Sequence, residues 1–123
     1  MIKGIGTDII ELSRIAEAIK KHQNFVQRVF TPHEIIYCRG KQQSTASFAA
    51  RFAAKEAVSK AFGTGIGRIR WLDIEIYNDN QNKPCVRLSG RGAELAKSMS
   101  VRHIHLSLSH CKEYATAMVV LEG

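Results

Sequence analysis

The spacing of apolar residues switches along the chain between a period near two and one near 3.6, and each switch marks a new element. Residues 2–10, Ile-Lys-Gly-Ile-Gly-Thr-Asp-Ile-Ile, alternate as a strand does. Ile2, Gly4, Gly6, Asp8 and Ile10 share one face, and Ile5, Thr7 and Ile9 the other. The two glycines leave the first face bare, so another element can approach this backbone closely. From Glu11 the period becomes helical through Leu12, Ile15 and Ile19, then Val26, Val29 and Phe30, with Asn24 as a candidate interruption. Thr31-Pro32-His33-Glu34 joins an N-cap, a first-turn proline and a glutamate at the third helical position. That is a capping box, and it starts a second short helix.

Gly40 to Ser44 is a polar connection. Thr45 to Phe62 carries the clearest helical pattern, with Phe48, Phe52, Ser59 and Phe62 along one stripe and alanines over much of the rest. Gly63 is its expected C-cap, and a loop bearing glycine and arginine follows over residues 64–70. Trp71 to Tyr77 and Cys85 to Leu88 read as strands joined by a polar turn from Asn78 to Pro84. Gly92 to Met99 reads as a short helix, and His103 to Ser109 with Tyr114 to Leu121 as a closing hairpin around residues 110–113. No repeat or linker divides residues 1–123, which predicts one α+β domain, a small sheet packed with helices.

Composition narrows the setting. With 123 residues, 45% of them hydrophobic, the chain can bury a core. No apolar run nears the roughly 20 residues of a membrane span, and the N-terminus lacks the pattern of a signal peptide, so a cytoplasmic location is expected. Cys38, Cys85 and Cys111 are odd in number and form no Cys-x-x-Cys pair, which argues against disulfides and a thiolate zinc site. The net charge is +7 and the pI about 9.6. Nucleic acid, an anionic membrane, phosphorylated small molecules or an acidic protein would each suit that balance.

Asp8 stands among Ile and Gly, where an unpartnered carboxylate is costly. Either it meets solvent and caps the helix after Glu11, or another element supplies its partner. Glu56 shares a helical face with Ala49, Ala53 and Lys60. It either makes a plain i, i+4 pair with Lys60 or turns toward a strand packed against the small alanines. Two carboxylates from separate elements suit Mg²⁺, which completes its octahedron with waters and substrate phosphates. The turn Gly63-Thr64-Gly65-Ile66-Gly67-Arg68 would suit those phosphates, although it follows a helix and is neither a P-loop nor a Rossmann fingerprint. His103 and His105 share a strand face that His110 does not, so one regular strand cannot aim all three at a zinc ion. Arg14, Lys21 and Arg28 recur every seven residues. On a continuous helix they form one row, either a solvated face or a docking surface for an acidic partner.

Gly4-Ile5-Gly6-Thr7-Asp8-Ile9-Ile10-Glu11 resembles the opening motif of the holo-acyl-carrier-protein synthases, a branch of the 4'-phosphopantetheinyl transferases. The segment from Arg51 to Gly65, Arg-Phe-Ala-Ala-Lys-Glu-Ala-Val-Ser-Lys-Ala-Phe-Gly-Thr-Gly, is similar to their central motif nearly residue for residue. Phe30-Thr31 with Glu34, Asn78-Asp79 with Lys83-Pro84, and Leu106 to His110 with Tyr114-Ala115 follow in family order. The resemblance implies a single 4'-phosphopantetheinyl transferase domain that moves 4'-phosphopantetheine from coenzyme A to a carrier-protein serine. It implies Asp8 and Glu56 as Mg²⁺ ligands, Lys60 on the transferring phosphate, and Arg51, Gly65 and His110 around coenzyme A. Glu56 and Lys60 would be catalytic, with Glu56 or a metal-bound water taking the serine proton. It further implies a homotrimer with active sites between subunits, and a basic face of Arg14, Lys21 and Arg28 for an acidic acyl carrier protein. Asn82 stands where the family turn usually has glycine; asparagine tolerates a left-handed backbone, so the turn is expected to survive. A nucleic-acid module would explain the charge but leaves Asp8 and Glu56 without a purpose, and no membrane role is expected.

Overall fold

The computed structural model describes residues 1–123. Chain order is β1 (Ile2–Glu11), α1 (Leu12–Lys21), α2 (Phe25–Val29), α3 (Pro32–Arg39), α4 (Ser44–Ala61), β2 (Ile74–Asn78), β3 (Pro84–Leu88), α5 (Gly90–Ser98), β4 (His103–His110) and β5 (Tyr114–Glu122). β1, β5 and β4 form one antiparallel sheet in that order, and β2 and β3 form a separate ribbon. The elements follow the apolar pattern closely, as an α+β domain.

Helix α4 is the axis of the molecule. Ala53, Ala57, Val58 and Phe62 pack with Ile74, Ile76, Leu106, Val119 and Leu121 in one apolar cluster. Phe48, Ala49 and Ala50 pack with Ile15, Val26, Val29, Phe30 and Cys38 in a second. α4 is capped by Phe62, with Gly63 next in the left-handed region (φ 79°), and the amides of residues 63 and 64 return to the Lys60 and Ser59 carbonyls. A glycine takes that conformation without a Cβ penalty. The capping box at α3 also forms: Thr31 Oγ1 accepts from the Glu34 amide at 3.3 Å, and Glu34 Oε1 accepts from the Thr31 amide at 2.8 Å.

The bare face of β1 is where α4 lands. A Cβ on Gly4 would overlap the Ala61 carbonyl oxygen, and one on Gly6 the Ala57 carbonyl oxygen. The glycines therefore set how close strand and helix come, and also their register. The opposite face of β1 is open: Ile5 is 69% and Ile9 61% exposed, and Met118 beside them on β5 is 56% exposed.

Two expectations change. The strand expected from Trp71 begins at Ile74, because Trp71–Asp73 forms a 3₁₀ turn held by the Asp73 carboxylate on the Arg70 amide at 3.1 Å. The helix after Glu11 breaks between Lys21 and Phe25, at the polar stretch containing Asn24. Arg28 therefore stands on α2, apart from the α1 face that carries Arg14 and Lys21.

Candidate active site

The register set by the glycines decides what meets Asp8. It lies two residues beyond Gly6 on the same face, and so points toward the Glu56–Lys60 side of α4. Lys60 Nζ donates to Asp8 Oδ1 at 3.0 Å and to the Thr7 carbonyl at 3.1 Å. Lys60 thus pairs across to the strand and makes no ion pair with Glu56, its neighbour one turn away. The pair is half open, with Lys60 51% and Asp8 14% exposed. Burial raises the Glu56 pKa above the usual carboxylate range, the charge of Asp8 adds to the rise, and Lys60 opposes it. Two carboxylates and an ammonium therefore converge on one spot. A cleft of about 550 Å³ on the open sheet face, lined by Ile5, Gly6, Thr7, Lys60, Met118 and Val120, adjoins it.

No three His, Cys, Asp or Glu side chains cluster in the chain as a metal site. A pair of carboxylates falls short of the ligand set zinc requires and fits Mg²⁺, which takes one or two carboxylates and leaves other positions to phosphate and water. The like charge already crowding Glu56 is the kind a divalent cation relieves.

The remaining residues implied by the resemblance lie elsewhere in the chain. Arg51 is 4% exposed and has no carboxylate partner; its Nη2 donates to Asn78 Oδ1 at 2.8 Å, and its guanidinium lies 4.0 Å from the Tyr37 ring centre. Its Nε has no hydrogen-bond partner. The Gly65 amide donates to the Ser59 carbonyl at 3.3 Å, and His110 ends β4 as an exposed side chain. No hydrogen bond joins Arg51 or His110 to Asp8, Glu56 or Lys60. Arg14 and Lys21 are exposed on α1, Lys21 bonded to Glu17, while Arg28 lines a separate cleft with Arg70, Trp71 and Leu72. His103 and His105 face solvent, and His105 Nε2 meets Glu122 Oε1 at 2.8 Å. The three cysteines are free thiols, and burial pushes that of Cys38 up to about 11.

Two sets of contacts were missed by sequence reasoning. Glu34 is more than a cap: its carboxylate also meets Lys55 Nζ at 2.7 Å and the Ile76 amide at 2.7 Å, fully buried. The strong helical pattern around Lys55, with apolar residues on both sides, was the available signal. Asn78, which holds Arg51, fell in the polar turn and the family pattern, but nothing there marked its contact with Arg51 or with the Asn82 side chain behind it.

The model of the 4'-phosphopantetheinyl transferase superfamily matches residues 4–119, and the chain belongs to that superfamily. Within it, the chain is similar to holo-acyl-carrier-protein synthases. One from Moorella thermoacetica is 50% identical over 118 residues, covering 96% of this chain and 92% of the relative. The crystal structure of the holo-acyl-carrier-protein synthase from Neisseria meningitidis superposes with a TM-score of 0.91 at 36% identity, covering all of both chains. That of the Helicobacter pylori synthase in complex with coenzyme A superposes at 0.85 with 36% identity, covering 96% of this chain and 99% of the other.

Proposed function

We propose that the chain transfers 4'-phosphopantetheine from coenzyme A to a serine of apo-acyl-carrier protein, releasing adenosine 3',5'-bisphosphate, for fatty acid biosynthesis. The observation that carries this reading is the convergence of Asp8, Glu56 and Lys60 where α4 meets β1. Asp8 and Glu56 would hold Mg²⁺, which when bound orients phosphate oxygens and neutralises their charge. Glu56 is assigned to take the proton of the serine hydroxyl, directly or through a water. The serine oxygen attacks the phosphorus that bears pantetheine, and the bond to the bridging oxygen of the pyrophosphate breaks. Lys60, aimed by Asp8 and the Thr7 carbonyl, stabilises charge on the transferred group.

Arg51 lies five residues before Glu56, about 140° round the helix, so it is assigned a nucleotide phosphate of coenzyme A and not the transferring one. A buried guanidinium with a free Nε and no carboxylate is short of one anion, and a phosphate supplies it. Gly65 and His110 are assigned to the same ligand. The homotrimer implied by the resemblance would cover the open apolar face of Ile5, Ile9 and Met118. The cleft on that face includes Lys60, so a neighbouring copy there would wall the active site. Arg14 and Lys21 on α1, with Arg28 beside Arg70, are assigned to the acidic helix of the carrier. Three unpaired thiols suit a reducing compartment, and cytoplasm is the proposed one. No helix is long and apolar enough to cross a membrane.

Incubation with apo-carrier protein, coenzyme A and Mg²⁺, reading carrier mass, tests the proposal. The carrier should gain one phosphopantetheine, and Arg14→Glu with Lys21→Glu should slow the gain at low carrier concentration. An unchanged carrier mass, where a control synthase modifies the same preparation, would refute it.

A further inference from the structure

The β2–β3 turn does more than connect two strands. Asn82 occupies the left-handed region (φ 64°), and its side chain turns back onto the strand end. Asn78 Nδ2 donates to Asn82 Oδ1 at 2.9 Å, and lies 3.3 Å from the Asn82 carbonyl and 3.4 Å from the Tyr37 hydroxyl. The other end of the same amide, Oδ1, accepts from Arg51 Nη2 at 2.8 Å. The amide has only one workable orientation, because a flipped Asn78 would set its NH₂ against the Arg51 guanidinium.

An arginine side chain has many rotamers, and ordering them costs conformational entropy. Arg51 is held on two sides only, by the Tyr37 ring and by Asn78, and its Nε remains free. Whatever aims Asn78 therefore aims the guanidinium, and Asn82 Oδ1 is its closest acceptor. The turn itself does not need that side chain. It is closed by the Asp79 amide on the Lys83 carbonyl, the Asn82 amide on the Asp79 carbonyl, and the Lys83 amide on Asp79 Oδ1, each at 2.9 Å.

We propose that Asn82, acting through Asn78, is a positioning residue that holds Arg51 ready for a phosphate of coenzyme A and so sets affinity for that substrate. This rests on the assignment of Arg51 to a nucleotide phosphate. The energy lies in preorganisation: an aimed guanidinium binds its anion without having to be ordered at the moment of binding.

Asn82→Gly tests the idea cleanly, since glycine takes the left-handed conformation freely and every bond closing the turn is a backbone or Asp79 bond. The KM for coenzyme A should rise about fivefold, the worth of one neutral hydrogen bond. The kcat, the KM for carrier protein and the Tm should hold. Calorimetric titration with adenosine 3',5'-bisphosphate, without metal, should show the same loss of affinity. Asn78→Ala, which frees Nη2 outright, should raise the KM further, and Arg51→Ala further still. If Asn82→Gly leaves nucleotide affinity unchanged while Arg51→Ala weakens it, Asn82 has no positioning role and the Arg51 assignment stands. If Arg51→Ala also leaves affinity unchanged, the assignment and the inference fall together. A drop in Tm and kcat in Asn82→Gly without a KM change would make the residue structural and overturn the inference.

Discussion

Lys55 and Lys60 stand five residues apart on α4, and each meets a carboxylate, Glu34 at 2.7 Å and Asp8 at 3.0 Å. Lys55 and Glu34 are 0% exposed, and nothing in the pair is left wanting. Lys55 also donates to the Val29 and Trp71 carbonyls, and Glu34 accepts from the Thr31 and Ile76 amides. That satisfaction is what makes a buried ion pair tolerable. It ties the end of α2, the start of α3, the turn before β2 and β2 itself to one point on α4. The Lys60–Asp8 pair is the reverse: half open, crowded by a third charge on Glu56, and beside a cleft. The same kind of ion pair is closed off where every hydrogen-bonding position is filled and stays open to a ligand where some are not.

The contrast predicts opposite consequences for mutation. Lys55→Met leaves the Glu34 carboxylate buried and unpaired and should cost about 3–5 kcal/mol in urea unfolding. Adding Glu34→Gln should recover part of that loss, whereas Lys60→Met should cost no more than about 1 kcal/mol. Equal losses at Lys55 and Lys60 would erase the distinction.

Turnover should show the mirror image. Asp8→Asn and Glu56→Gln should each lower kcat by about 100- to 1000-fold while the thermal transition stays cooperative. Near-normal turnover in both at modest Mg²⁺ would remove the catalytic half of the comparison.

The smallest effect concerns pH. Because the folded state raises the Glu56 pKa, ionising this group costs stability, and the cost grows as pH rises through the folded value. Below the ordinary glutamate range the group is protonated in both folded and unfolded chains and the cost vanishes. In chelator, Glu56→Gln should therefore melt above wild type at neutral pH and show no gain in acid. A thermal gain independent of pH would point to packing and not to the crowded charge.

Local rules made much of the fold and part of the site readable. Alternation in residues 2–10 put Asp8 on the face bared by Gly4 and Gly6, and α4 does pack there. The capping box at Thr31, the left-handed Gly63 just past the Phe62 cap and the left-handed Asn82 each depend on a few neighbouring residues, and each is present. The helical period likewise put Glu56 and Lys60 on one face. Such features follow from backbone sterics and periodicity, which act over a turn or two of chain.

The partners could not be read this way. Helical spacing offered Lys60 the nearby Glu56, yet it pairs with Asp8, 52 residues earlier in the chain, because glycine contacts fix the register of β1 against α4. Glu34 presented itself as a cap and became the counterion of Lys55 only once α3 and α4 had packed. Arg14, Lys21 and Arg28 kept their spacing, but the break before Phe25 moved Arg28 to another helix. Periodicity determines which face of an element a residue occupies. Which charge stands across from it is set by how close and in what register two elements dock, and that is a property of the packed chain alone.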